Sequence, residues 1–87
     1  MSKEVIFLFI NKSDSGENNI CGKKIYELRK KMGKSQRQLA DALQLMGLDV
    51  DKNAIQRIEA GKRFVTDIEI AYFCKILNIS ADELIGL

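Results

Sequence analysis

The chain has 87 residues and a net charge of only +2 at pH 7, with 46% hydrophobic residues. This length allows one small domain with a single core. The sequence has no histidine, its two cysteines lack zinc-site spacing, and no Gly-rich phosphate loop appears. We therefore expect no catalytic site, no metal and no cofactor, so the composition argues against an enzyme.

The chain begins with an apolar run, KEVIFLFI at residues 3–10, followed by a polar stretch at residues 11–19. The run favours a strand and the polar stretch a linker, so residues 1–19 are interpreted as an N-terminal extension. Three roles compete for the run. It pairs with its copy in a second subunit, which is the interpretation we favour; it packs on its own helices as a strand or arm; or it is a disordered or processed leader. The run also offers a surface for a protein partner.

The apolar run is too short to cross a membrane or to act as a normal signal sequence, and no small-residue cleavage site follows it. The cysteines are read as small apolar residues in a reducing compartment. A cytoplasmic protein is expected.

Residues 20–87 have helical periodicity and contain no proline. Three capping boxes mark helix starts: SQRQ at 35–38, TDIE at 66–69 and SADE at 80–83. Asn19 and Asp51 are candidate N-caps, and Gly33 and Gly61 are candidate C-terminal stops. These signals predict an all-α domain with five helices at about 20–32, 36–46, 52–60, 67–77 and 81–86.

Each predicted helix has one apolar face, and these faces are expected to form the core. The predicted core residues are Cys21, Ile25, Leu28, Met32, Leu39, Ala40, Leu43, Met46, Ile55, Ile58, Ile70, Phe73, Cys74, Leu77, Leu84 and Ile85.

Two charged residues, Arg29 and Glu59, fall on apolar faces of the first and third helices. A lone buried charge is costly, whereas a paired one is tolerated. We predict a partly buried salt bridge between them. The alternative is that Arg29 extends to water and Glu59 lies at the edge of the core.

The third helix presents a polar face made of Lys52, Asn53, Gln56 and Arg57. Amides can pair with adenine and cations with guanine, so this face suits a DNA major groove. A solvated surface would look the same. The charge distribution favours a polyanion, because residues 21–66 carry eleven Lys or Arg and five Asp or Glu.

The segments IYELRKKMGKSQRQLADAL, NAIQRIEAGKR and LNISADELIGL, in this order, resemble the XRE family of helix-turn-helix regulators, the phage repressor and Cro-like group. The resemblance covers Ile20 to Leu87. It implies a five-helix repressor-like domain that binds double-stranded DNA, usually as a homodimer on a two-fold site.

The resemblance also assigns roles to residues. Ser35 caps the second helix, whose positive end points towards a phosphate, and Gln36 contacts a phosphate or a base edge. Base-facing positions match Lys52, Asn53, Gln56 and Arg57. Lys62 and Arg63 match backbone clamps, and Arg29 and Glu59 match positions that often pair.

The sequence departs from the family between the second and third helices, where QLMGLDVD replaces a tight turn and Gln44 stands at the usual glycine. We expect a longer second helix that ends at Gly47. The leading interpretation is a sequence-specific transcriptional regulator, a small repressor. The alternative is an antitoxin or protein-interaction module that keeps the helix-turn-helix fold.

Overall fold

The computed structural model describes residues 16–86, which form a domain of five helices. The helices are α1 (Gly22–Lys31), α2 (Gln36–Leu45), α3 (Lys52–Glu59), α4 (Asp67–Leu77) and α5 (Ala81–Ile85). The prediction of an all-α, five-helix fold is confirmed, with ends shifted by at most two residues. The predicted strand at 3–10 and most of the predicted linker lie outside the described residues.

Local capping sets where the helices begin. In each capping box that opens α2, α4 or α5, the N-cap hydroxyl accepts a hydrogen bond from the backbone N–H three residues later. The side chain of that later residue accepts a hydrogen bond from the N-cap backbone N–H in return. Asp51 Oδ1 accepts from the Ala54 N–H at 2.8 Å and starts α3. Gly33 and Gly61 follow α1 and α3 with φ of 69° and 74°, a left-handed conformation that ends a helix.

The core is made of one set of fully buried side chains from all five helices and the chain just outside them. Its members are Cys21, Ile25, Leu39, Ala40, Leu43, Val50, Ile55, Ile58, Phe73, Leu77 and Leu84. The prediction was wrong for Met32 and Met46, which are 43% and 39% exposed, and Ile85 is half-buried outside this set. Met32 and Met46 are the C-cap residues of their helices, at the end of each apolar face rather than within it.

The turn between α2 and α3 is pinned by residues that the helical periodicity did not mark. Val50 is only 2% exposed and belongs to the core, and Leu48 packs against it. Gln44 donates from Nε2 to the Val50 carbonyl at 2.7 Å. The longer turn is therefore an ordered, packed element.

Packing of the helices places α3 against both α1 and α2, while α4 lies against α1 and α2 and α5 against α1 and α4. Helix α3 thus rests on the rest of the domain by one face only. Within residues 16–86, no helix has the length and apolar character needed to span a bilayer.

Candidate nucleic-acid interface

Helix α3 buries one side and exposes the other. Ile55 and Ile58 are 0% exposed, whereas the four residues of the predicted polar face all lie at the surface: Lys52, Asn53, Gln56 and Arg57. Among the described residues, these four side chains have no hydrogen-bond or ion-pair partner. Their donors and acceptors are directed to solvent and are available to a ligand.

A first open cleft, of about 630 Å³, lies where the end of α1 meets the starts of α2 and α3. Its lining includes five cationic residues and no acidic one: Arg29, Lys30, Lys34, Arg37 and Lys52. Ser35 and Gln36, at the first turn of α2, also line it. The excess of cationic side chains in this cleft favours an anionic ligand.

The start of α2 differs in charge from the starts of the helices that follow it. The N-cap of α2 is Ser35 and its first turn contains no acidic residue. By contrast, α3 is capped by the Asp51 carboxylate, and the first turns of α4 and α5 each contain two acidic residues. The N-terminal end of α2, with no acidic residue at its cap or in its first turn, favours an approaching anion.

A second cleft, of about 350 Å³, continues along α3 and the residues after it. It is lined by Asn53, Gln56, Arg57, Ala60 and Lys62. The structure thus brings seven of the eight predicted DNA contacts to these two adjacent clefts. The eighth, Arg63, lines neither of them.

Arg29 and Glu59 form a two-pronged ion pair between α1 and the last residue of α3. Arg29 Nε lies 2.7 Å from Glu59 Oε2 and Nη2 lies 3.0 Å from Oε1, and the side chains are only 7% and 4% exposed. Arg29 Nη1 also donates to the Lys34 carbonyl at 2.9 Å. The hydrogen bond to Glu59 raises the pKa of Arg29 above its usual value. The pair fixes the end of α3 to α1.

Gln36 belongs to this same cluster, which the sequence did not indicate. Its Nε2 donates to Glu59 Oε1 at 3.0 Å. This bond uses one N–H of the side-chain amide, and the backbone N–H of Gln36, in the first turn of α2, has no partner within the helix.

Arg63, expected to clamp a DNA backbone, is instead tied to α4. Its Nη2 and Nη1 lie 2.7 Å and 2.9 Å from the two carboxylate oxygens of Glu69, and Nη1 also donates to the Phe64 carbonyl. Glu69 in turn accepts from the Thr66 N–H at 2.9 Å. These contacts hold Arg63 in the loop after α3, and its contact with a DNA backbone stays a prediction.

The Glu69 carboxylate makes the stability of this loop depend on pH. The hydrogen bonds from Arg63 lower the pKa of Glu69 in the folded protein. A glutamate whose pKa is lower in the folded than in the unfolded protein stabilises the fold at pH values above its unfolded pKa of about 4.3. This stabilisation is lost as the pH falls through the pKa of the folded state. We expect Glu69→Gln to cost about 1–2 kcal/mol at pH 7, measured by urea unfolding, and this difference to shrink below about pH 4.

A matched control is Glu83→Gln. Glu83 holds the same capping-box position in α5, but within the described region no arginine pairs with it. We expect a smaller loss at pH 7 than for Glu69→Gln. Equal losses for the two variants would contradict the role of Arg63.

Asn19 links the start of α1 to the end of α3. Its Oδ1 accepts from the Gly22 N–H at 2.8 Å, which is the predicted capping contact. Its Nδ2 donates to the Ile58 carbonyl at 3.0 Å and to the Arg63 carbonyl at 2.8 Å. One amide side chain therefore satisfies backbone groups from three parts of the chain.

Asn18 extends this link along the same loop. Its backbone N–H donates to the Gly61 carbonyl at 2.8 Å, and its Nδ2 donates to the Lys62 carbonyl at 3.0 Å. We call residues 18–19 the N-terminal strap. The strap supplies donors to carbonyls that follow α3, which the helix itself cannot satisfy. It thereby holds the segment that carries Lys62.

A comparison with known protein families identifies the family to which this domain belongs. The family model described as "Helix-turn-helix" matches residues 25–84, well over half of the chain. Comparisons with curated proteins and with solved structures gave no match. The matched region contains both clefts, α2 and α3 and the turn between them. The chain belongs to the XRE family of DNA-binding helix-turn-helix proteins.

Proposed function

We propose that this protein is a transcriptional repressor that binds a specific double-stranded DNA site in the cytoplasm. Helix α3 enters the major groove, and two copies bind a two-fold site as a homodimer. The activity is binding alone, with no chemical step.

The carrying observation is the exposed row of Lys52, Asn53, Gln56 and Arg57 on α3, whose side chains have no partner among residues 16–86. Hydrogen-bonding groups that are free in this way can pair with base edges without breaking internal contacts.

Phosphate contacts are assigned to the groups that flank this row. The first cleft is lined by Lys52 and by the α2 N-terminus, with Ser35 and Gln36. Lys62, which follows α3 in the chain, lines the second cleft. Contacts at both ends of α3 would fix its angle in the groove, while the residues between them read the bases.

The test is selection of bound duplexes from a random pool, followed by titration of the selected sequence at several salt concentrations. We expect an inverted repeat with half-sites about one helical turn apart. Enrichment of single half-sites would contradict the dimer. No enrichment would contradict the proposal and favour a protein-interaction module.

Single substitutions separate the two kinds of contact. We expect Arg57→Ala and Asn53→Ala to cost about 1–3 kcal/mol of binding free energy at particular base pairs and to relax the preference there. Lys62→Ala should weaken all duplexes alike and reduce the salt dependence. The matched control is Lys75→Ala, an exposed lysine on α4 outside both clefts, which should leave affinity unchanged.

A further inference from the structure

An apolar groove lies on the side of the domain where the described chain begins. It has a volume of about 240 Å³, and its apolar lining consists of Ile20, Cys21, Phe64, Val65, Ile70 and Ile85. Ile20 and Phe64 are 60% and 50% exposed, so large apolar side chains here face solvent. An apolar cavity of about 150 Å³ accommodates a benzene ring, so this groove has room for an aromatic side chain.

One residue of the groove lining has a buried polar atom that lacks a partner. Asn18 lines the groove, and its Oδ1 is buried and accepts no hydrogen bond from any residue of the described part. Buried acceptors without a donor are rare and cost about 1–3 kcal/mol.

The chain itself carries a segment with the matching chemistry. Residues 5–10, VIFLFI, are all apolar and include Phe7 and Phe9. The strap residues Asn18 and Asn19 and the following Ile20 line the groove, so the preceding chain departs from its rim. Ile10 is six residues before Gly16, and six extended residues span about 20 Å. The segment can therefore reach back over the groove.

We infer that the segment of residues 5–10 docks in this groove of its own chain and covers it, which replaces the pairing between two subunits that the sequence alone favoured. Because the tether is short, the effective concentration of the segment at the groove is on the order of millimolar. Docking within the same chain is therefore favoured over docking in a second copy at protein concentrations below this value. In an extended segment Phe7 and Phe9 lie on one face, which packs on Phe64 and the neighbouring aliphatic side chains. This inference does not depend on the proposed function.

The direct test uses nuclear Overhauser effects in the isotopically labelled full chain. We expect contacts between ring protons of Phe7 or Phe9 and methyl protons of Ile20, Val65 or Ile85. In an equimolar mixture of labelled and unlabelled chains, an experiment filtered for contacts between molecules should show none of them. Their appearance in that filtered experiment would overturn the inference in favour of a second copy. Absence of any contact from residues 5–10 to the groove would overturn it outright.

A second test measures coupling through thermal unfolding of full-length variants. The combined substitution Phe7→Ala and Phe9→Ala should lower Tm, and so should Phe64→Ala. With all three changes together, Tm should fall much less than the sum of the two separate shifts, because both remove the same contact. Leu45→Ala, at a 91% exposed position outside the groove, should combine additively. Additive shifts for Phe64→Ala would overturn the inference.

Discussion

Replacing Glu59 by alanine is expected to lower the free energy of unfolding by about 3–5 kcal/mol. The substitution leaves the Arg29 guanidinium buried without a counter-charge and removes the acceptor of Gln36. Small domains have a total stability of about 5–15 kcal/mol, so the loss is a large fraction of it. Urea unfolding at pH 7 followed by circular dichroism measures the change.

A double-mutant cycle separates the pair from its surroundings. Arg29→Met alone should also destabilise strongly, since it leaves Glu59 without its cation. Arg29→Met combined with Glu59→Leu should cost far less than the two losses together, because an apolar pair carries no desolvation penalty. Additive losses would contradict the assignment. The control is Arg37→Ala, an exposed arginine, which should change stability by no more than about 0.5 kcal/mol.

The second large effect is expected at Gly22, where α1 begins against the end of α3. A methyl group on Gly22 would overlap the backbone carbonyl oxygen of Ile58 and lie 2.9 Å from Asn19 Oδ1. The Ile58 carbonyl belongs to the helix backbone and cannot rotate away. We expect Gly22→Ala to cost about 3 kcal/mol, at the upper end for overpacked sites, and to move α3 relative to α1.

Whether Gly22→Ala lowers or raises the free energy of unfolding decides between two explanations for a glycine at this position. If only helix propensity mattered, alanine would be better than glycine by up to about 1 kcal/mol. Gly33→Ala is the comparison, because open space surrounds Gly33 while its φ is 69°. That variant should lose only about 1 kcal/mol, from backbone strain. Chemical denaturation of both variants distinguishes the cases, and a stabilised Gly22→Ala protein would contradict the close approach.

Features that depend on neighbouring residues could be predicted from the sequence. The capping boxes that begin at Ser35, Thr66 and Ser80 join residues three apart, and all three formed as expected. Helical periodicity correctly placed Ile55 and Ile58 in the core. These signals are local, so one sequence is enough to read them.

Contacts between distant residues could be predicted only where both side chains stood out on apolar faces, as the charges of Arg29 and Glu59 did. The hydrogen bonds from Asn19 to the Ile58 and Arg63 carbonyls span 39 and 44 residues. Because every residue has a backbone carbonyl, the sequence does not indicate which of them accepts a bond. The Arg63–Glu69 pair was missed for another reason. An arginine beside Lys62 suggested a basic clamp, and only the packed loop shows that a carboxylate on α4 lies within reach.

The N-terminal strap also has a consequence for how the domain assembles and opens. Its partners lie about 40 residues away, so its contacts form only after the cost of closing a long loop has been met. The start of α1 and the C-terminal turn of α3 therefore belong to one cooperative unit of local unfolding. If the strap detached, the Ile58 carbonyl would keep the Gly61 N–H as a donor, whereas the carbonyls of residues 61–63 would lose the donors that Asn18 and Asn19 supply. The order of the segment that follows α3 is thus coupled to the first residues of the domain.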